Sequence, residues 1–522
     1  MNFNKLTHLT LISVSSSLLY ADDWVTNSQE EWTANKAEAV DIDLKEGFAT
    51  PSKESATFKS VLKSYPEKRS ATSITISQSP IWLNWNPIKH LGPTNLEDAP
   101  VALRLGEGNY WLFGKYGGVE TKGKGKKATL EGIVPGEDVE LEGFEIALKE
   151  SKFPNQYHAE GGLKQPQGGY HAWQSKDMIN WVHHGPVSDV ESRWMTTAEY
   201  VDGKAYLYYD FPNDQDPHLI IDDNLTDGEL GEKMGMAFKD PSDGSDTAII
   251  RDLEGQFHII FEDWSVINAS KRSWDSPLAG HAVSPDGIKD FKIVDPAVDY
   301  RTNPTGKFGK IYHPHWHVMD PENYPAEVII KKDGTKVKGR RAIAKYEIHE
   351  PEQEAYGDWA AISIGGQYYL FGDYDPVGTH GPEYMKTVWF TASDIDEPFK
   401  KCGTIGTGHP DPDIIFAEGQ FYMISQTDDF VSPGPWVDGV EIRVGVDVDN
   451  DKKVDNWTDW ASVKEEYSGT EGFAKQVTKT PASLDLSTLP EGFGFQYEVR
   501  LSDKTENDSK PILDKVVLSF KE

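Results

Sequence analysis

Apolar and polar positions alternate through most of the chain, and one form of that alternation returns five times. Its clearest copy runs from Asp246 to Asp263: an acidic residue, the apolar strand Thr247-Ala-Ile-Ile250, a turn with Gly255, then the aromatic-apolar strand Phe257-His-Ile-Ile-Phe261. The stretches Asp98–Gly114, Asp358–Asp373 and Asp411–Gln426 repeat it, and Thr197–Asp210 is a looser copy. Each reads as a β-hairpin with glycine at its turn. A second pattern of strand, polar Ser/Asp turn and strand follows at Ala172–Gly185, His281–Val294 and Phe390–Gly403. Serine and aspartate side chains cap such turns before the next strand begins. Two hairpins per unit make a four-stranded sheet. Five units between about residues 95 and 430 predict an all-β chain with a five-bladed β-propeller, rather than a sandwich with coincidental spacing.

The flanks carry weaker patterns. Residues 1–21 read as a secretory signal peptide: Lys5, a short run from Leu6 to Tyr20 rich in Leu, Ser and Thr, and Ala21 before an acidic stretch. The run is too short and too rich in hydroxyls for a membrane span, so a secreted or periplasmic protein is expected. Residues 22–80 show no strong period. They are expected to form an N-terminal arm, packed on the propeller or on the second subunit of a homodimer, or else a flexible linker. A helix over Ser55 to Lys63 is expected within them. The propeller would occupy residues 81–430. After the break at Ser432-Pro-Gly-Pro435, alternation at Val440–Val446, Phe495–Leu501 and Val516–Phe520 predicts a C-terminal β-sandwich over residues 431–522.

Composition narrows the function. The chain has 522 residues, enough for two or three domains, and a formal net charge of −33. That charge argues against nucleic acid or an anionic membrane as partner. The single cysteine, Cys402, excludes an intrachain disulfide and a cysteine metal cluster. The chain holds 16 Trp, 22 Tyr and 22 Phe, which fill a β-rich core and also supply stacking surfaces for sugars.

The candidate chemistry lies at the hairpin starts. Asp98, Asp246, Asp358 and Asp411 or Asp413 open four of the repeats. A lone aspartate there would cap a turn. The recurrence instead places carboxylates around one funnel, as glycoside hydrolysis requires: a base for water, an acid for the leaving oxygen, and groups that orient them. An oligosaccharide is therefore the expected partner, and the chemistry needs no cofactor. Histidines cluster at His313-Pro-His-Trp-His317, His349 and His409; the first spacing is not a standard zinc motif. His281 is read as a structural histidine. Two basic stretches, Lys122–Lys127 and Lys331–Arg341, are either solvated loops or contacts for an anionic substituent such as sulfate, with Arg340 and Arg341 the better candidates. Asp447, Asp449, Asp451 and Asp455 alternate through a turn, as in a calcium loop, but Lys452 and Lys453 stand where glycine is expected. The stretch is read as a structural calcium site or an acidic hairpin tip.

Leu96–Val101, Phe261–Ser265 with Ser273–His281, and His349–Trp359 resemble family 117 glycoside hydrolases. The resemblance spans about residues 80–430. It implies a five-bladed propeller exo-enzyme that releases terminal 3,6-anhydro-galactose, with inversion, from red-algal agar or carrageenan oligosaccharides. Carried over, Asp98 is the general base, Asp246 the second carboxylate and His349, beside Glu350, the general acid. Glu350 itself, or His409, is the alternative acid. The alternative functions are a propeller arabinosidase, fructosidase or galactosidase using Asp98, Asp246 and a Glu acid such as Glu350, and a non-catalytic carbohydrate-binding propeller. Histidine's ordinary pKa of about 6.5 suits proton donation near neutrality. Asp358, Asp411, His409, His313, Trp264, Arg340 and Arg341 are the expected substrate contacts. The chain departs from the family in its insertion at about residues 295–345, its unclear N-terminal dimerisation motif and its added C-terminal domain.

Overall fold

The computed structural model describes residues 23–44, 49–77, 82, 92–93, 96–116, 134–135, 139–141, 144–146, 148–150, 156–159, 169–189, 191–192, 194–211, 216–240, 245–263, 279–298, 326–330, 336–341, 355–375, 385–406, 408, 410–426, 430–431, 439–502, 511–513 and 515–521. Within 134–156 and 326–341, and at 355, 375, 430 and 431, it describes backbone only. These residues are nearly all strand, with one short helix, Gln29–Ala34. They fall into two compact units.

The larger unit comprises Pro80–Pro435 and Glu466–Thr480. All five expected hairpins form. Their first strands are Leu96–Gly106, Met195–Val201, Ser245–Arg251, Ala355–Ile364 and Asp413–Ala417. Each pairs antiparallel with the strand that follows it. Gly203 and Gly255 take φ of 85° and 92° at their turns, a conformation closed to most side chains. The second repeat adds outer strands: Tyr170–Ser175 with Trp181–Pro186, Ala279–Ser284 with Lys292–Ile293, and Lys386–Ala392 with Lys400–Ile405. Its turns are capped as expected. Asp177 Oδ1 accepts from the Ile179 and Asn180 amides, and Asp286 Oδ1 from those of Ile288 and Lys289.

The five first strands touch in a closed circle: first to second, second to third, third to fourth, fourth to fifth and fifth to first. They are called the inner strands below. Apolar clusters fill the spaces between neighbouring sheets. Leu103, Phe113, Ala198 and Leu207 join the first to the second, and Tyr208, Leu219, Ile249 and Ile259 join the second to the third. Ile250, Ile260, Trp359 and Leu370 join the third to the fourth, and Ile415, Tyr422, Leu112 and Trp173 join the fifth to the first. Between the fourth and fifth, Trp82 packs edge-on against Phe371 at 4.9 Å and Phe421 at 5.7 Å. Burying each such aliphatic or aromatic side chain contributes about 1.5–3 kcal/mol.

Residues 466–480 depart from the expected boundary. They were assigned to the C-terminal domain, yet Gln476–Thr480 lies parallel to the fourth inner strand, pairing Ser363 with Gln476. Gln476 Nε2 donates to the Arg251 carbonyl at 2.7 Å, and the Ala474 amide donates to Glu199 Oε1 at 3.0 Å. The segment thus sits over the inner strands' C-terminal ends.

The smaller unit holds residues 1–79, 436–465 and 481–522. One sheet runs Trp24–Thr26, Lys515–Phe520, Ala71–Ser77, Ala482–Asp485; the other runs Lys36–Val40, Ser55–Ser60, Gly492–Ser502, Val440–Asp447, Asn456–Trp457. They share a core of Trp24, Trp32, Phe58, Val444, Tyr497 and Leu518. Residues 22–80 are therefore no separate arm, since they supply strands to both sheets. The expected helix over Ser55 to Lys63 is a strand, because Ala56, Phe58 and Ser60 are buried at period two.

Gly280 is set close to Phe261: a Cβ there would lie 2.2 Å from the ring. Gly280→Ala should lower the unfolding free energy by about 1–3 kcal/mol through overpacking. A denaturant midpoint shift at unchanged m-value checks this.

Candidate active site

The aspartates that open the repeats share a backbone conformation. Asp98, Asp246, Asp358 and Asp411 have φ of 73°, 43°, 47° and 28°. Non-glycine residues seldom enter this region, and aspartate tolerates it better than most. In three of the strands the cause is visible in the pairing. Register breaks between Glu97 and Val101, between Ser245 and Ala248, and between Gly357 and Ala360, so the aspartate sits in a β-bulge. Asp411 lies two residues before the fifth inner strand. The second inner strand bulges at the same place, between Met195 and Thr197, and carries Thr196 there. Thr196 and Thr247 share a hydroxyl hydrogen bond of 2.8 Å. Bulges of this kind re-aim side chains and recur beside functional sites.

For two of the strained aspartates, an acid from the preceding sheet accepts the backbone amide. Asp210, at the end of the second hairpin, accepts the Asp246 amide at 2.9 Å. Glu262, at the end of the third, accepts the Asp358 amide at 3.2 Å. Asp373, in the fourth, brings its carboxylate to within 4.8 Å of those of Asp358 and Asp411. Asp210, Glu262 and Asp373 are buried. In the sequence Asp210 and Asp373 end two of the repeats and Glu262 stands next to the end of a third, and the sequence reading assigns them no role. The signal was their recurrence: an acid closes the second, third and fourth hairpins.

Tyr170 was also missed. It is buried at the start of an outer strand of the first sheet, and its hydroxyl donates to the Ala99 carbonyl at 3.3 Å. Burial pushes its phenol well above the usual range, and the negative charges of Asp98, Asp411, Asp358 and Asp246 push it further the same way. All four aspartates therefore lie within electrostatic reach of one hydroxyl. Lys115 ion-pairs with Asp98 and stands 3.6 Å over the Trp194 ring.

Asp411 and Asp413 differ in their surroundings. Asp413 is enclosed: Oδ2 accepts the Ala102 amide at 2.7 Å, and Lys475 Nζ stands 3.7 Å from Oδ1. Burial raises its carboxyl, and Lys475 opposes that rise. Lys475, buried, also donates to Thr197 Oγ1 at 3.1 Å. Asp413 belongs to this internal network, and Asp411 keeps the position shared with Asp98.

His349, Glu350, Trp264, His313 and His409 lie outside the described residues, as do the expected signal peptide and Lys122–Lys127. Arg340 and Arg341 fall on the strand Lys336–Arg341, described as backbone only. In the smaller unit Asp447, Asp449 and Asp455 bring carboxylate oxygens within 4.8 Å of one another. Asp451 is not with them; it pairs with Lys453 at 3.1 Å. The missing glycine is replaced by Asn450 and Lys452, at φ of 68° and 71°. Asp447 already accepts the amides of Asn450 and Lys452, and Asp455 that of Val448.

No protein-family model and no curated protein matches the chain. Among solved structures it is similar to a family 43 β-xylosidase/α-arabinofuranosidase from a compost microbial metagenome, in complex with xylotriose. Identity is 14%, with 65% of this chain and 88% of that one covered, at a TM-score of 0.33. It is also similar to an endo-arabinase from Bacteroides thetaiotaomicron, at 10% identity over 67% and 98% of the two chains, TM-score 0.35. An α-L-arabinofuranosidase from Clostridium thermocellum aligns at 14% identity over 74% and 95%, TM-score 0.32. Likeness at this level assigns no activity to the chain.

If the acceptor from the preceding sheet holds Asp246, then Asp210→Ala should cost about 1–3 kcal/mol by leaving that amide unpaired. Asp210→Asn, which keeps an acceptor oxygen, should cost markedly less. Equal losses in denaturant unfolding would show that the charge, not the acceptor, matters.

Proposed function

We propose that this chain is a glycoside hydrolase built on a five-bladed β-propeller, with the smaller unit a β-sandwich accessory domain. The observation that supports it most is the set Asp98, Asp246, Asp358 and Asp411, in left-handed backbone at the starts of inner strands and within reach of Tyr170. Backbone strain repeated at one place in a fold points to function. A set of carboxylates around one opening suits acid-base hydrolysis of a glycosidic bond.

In this reading Asp98, steadied by Lys115, polarises water on one face of the sugar. His349, with Glu350 beside it, or His409 protonates the leaving oxygen. Asp246 orients the sugar, and Asp358 and Asp411 bind its hydroxyls. The displacement is single and inverting. The reaction needs no cofactor. A structural calcium in the smaller unit would use Asp447, Asp449 and Asp455. The protein is exported to the periplasm or medium.

Two substrate classes follow. Arabinosides and xylosides are named for the similar solved structures. Terminal 3,6-anhydro-galactose of agar or carrageenan oligosaccharides is supported by the likeness of Leu96–Val101 and His349–Trp359 to family 117. A reducing-sugar assay on oligosaccharides of arabinan, xylan, agar and carrageenan separates them. One class should release its terminal sugar. Asp98→Asn and Asp246→Asn should each lose about 10²–10⁴-fold in turnover with folding intact. Tight binding without release by the wild-type chain would make it a carbohydrate-binding module instead. Near-normal turnover in Asp98→Asn would remove that residue from the base role.

A further inference from the structure

Away from the aspartates, two buried histidines of the third sheet meet. His258 lies on Phe257–Glu262 and His281 on the neighbouring strand Ala279–Ser284. His258 Nδ1 stands 2.9 Å from His281 Nε2. On its other side, His258 Nε2 is 3.1 Å from Asp252 Oδ2. A carboxylate accepts only, so Nε2 carries the proton and Nδ1 presents a lone pair. Asp252 is itself held, because its Oδ1 accepts the Gln256 amide at 2.7 Å. A carboxylate holding one imidazole nitrogen so that the other presents its lone pair is the arrangement that orients metal-binding histidines.

A third group completes the cluster from the next sheet. Asp396 lies in the turn between Lys386–Ala392 and Lys400–Ile405, and its Oδ1 is 3.9 Å from His258 Nδ1. One atom each from His258, His281 and Asp396 falls within 4.8 Å of the others. The turn is anchored: the Asp396 amide donates to Asp394 Oδ1 at 3.0 Å, and the Phe399 amide to the Ala297 carbonyl at 2.7 Å.

We propose that His258, His281 and Asp396 form a divalent-metal site, suited to zinc, that ties the third sheet to the fourth. Zinc takes imidazole nitrogen and carboxylate oxygen at about 2.0–2.2 Å in a tetrahedron, which sets its ligand atoms about 3.3 Å apart. The two nitrogens would open by about 0.4 Å from their present hydrogen-bonded separation. Asp396, with a side chain 69% exposed, is free to close the remaining gap and leaves the fourth position to water. Both histidines are buried, and the larger movement falls to the surface ligand. The same pair of histidines without metal is a hydrogen-bonded relay ending at Asp252. The site is independent of the proposed hydrolysis.

The test uses the full-length chain after chelator treatment and dialysis. Zn²⁺ and Co²⁺ are titrated into the wild type and into Asp396→Asn, chosen because an exposed residue can change without loss of fold. Wild type should bind about one equivalent more than the variant, with visible absorption from tetrahedral Co²⁺ and a rise in Tm that the variant lacks. Asp252→Asn should weaken that equivalent by about 10–100-fold, since it loosens the orientation of His258. Because the readout is the difference between chains, metal bound elsewhere cancels. Equal stoichiometry and affinity in wild type and Asp396→Asn would overturn the site, as would the absence of any metal-dependent change in the wild type.

Discussion

The feature on which the larger unit turns is a backbone amide. At the start of each of two inner strands, the N–H of a left-handed aspartate is accepted by an acid from the sheet before it: Asp246 by Asp210, and Asp358 by Glu262. Holding a non-glycine residue in this region costs about 1–3 kcal/mol, so something must over-determine it. The bulge removes the amide from the strand ladder, and the neighbouring acid takes it up. The same contact joins one sheet to the next. Sheet packing and site geometry therefore share one hydrogen bond, and neither can change without the other.

The electrostatics fit that scheme. Four aspartates gather around Tyr170 in a chain of net charge −33, which on its own would drive them apart. Lys115 offsets one of them by meeting Asp98, and in the separate internal network Lys475 stands beside Asp413 and Thr197. A neutral, buried tyrosine hydroxyl among carboxylates remains a donor over the whole working pH range. Lys475 comes from a segment that follows part of the smaller unit in sequence, so the chain completes its larger unit only after starting the other.

Much of this was legible in the sequence, and the losses have physical causes. Hairpins announce themselves locally: a glycine with positive φ, two apolar strands and a Ser/Asp turn all fall within some twenty residues. The rim aspartates follow from their recurrence. The bulges do not, because register depends on the partner strand, and residues 98 and 101 look like an ordinary strand start in one dimension. Asp210 and Glu262 act across sheets, beyond any window. Residues 55–60 were misread because their partner, Gly492–Ser502, is more than 400 positions away, and a half-buried strand of Ser, Thr and Lys has little pattern of its own. The choice of proton donor rests on His349, Glu350 and His409, which lie outside the described residues.

The central proposal is that the aspartates at the inner-strand starts, with a separate proton donor, carry out a single displacement at a sugar's anomeric carbon. The most direct test is ¹H NMR of the anomeric proton during turnover of whichever oligosaccharide the chain cleaves, read before mutarotation. A first-formed sugar of configuration opposite to the bond cleaved is the expected result, since water held by Asp98 attacks from the far face. A product that retains the configuration of the substrate would contradict the account.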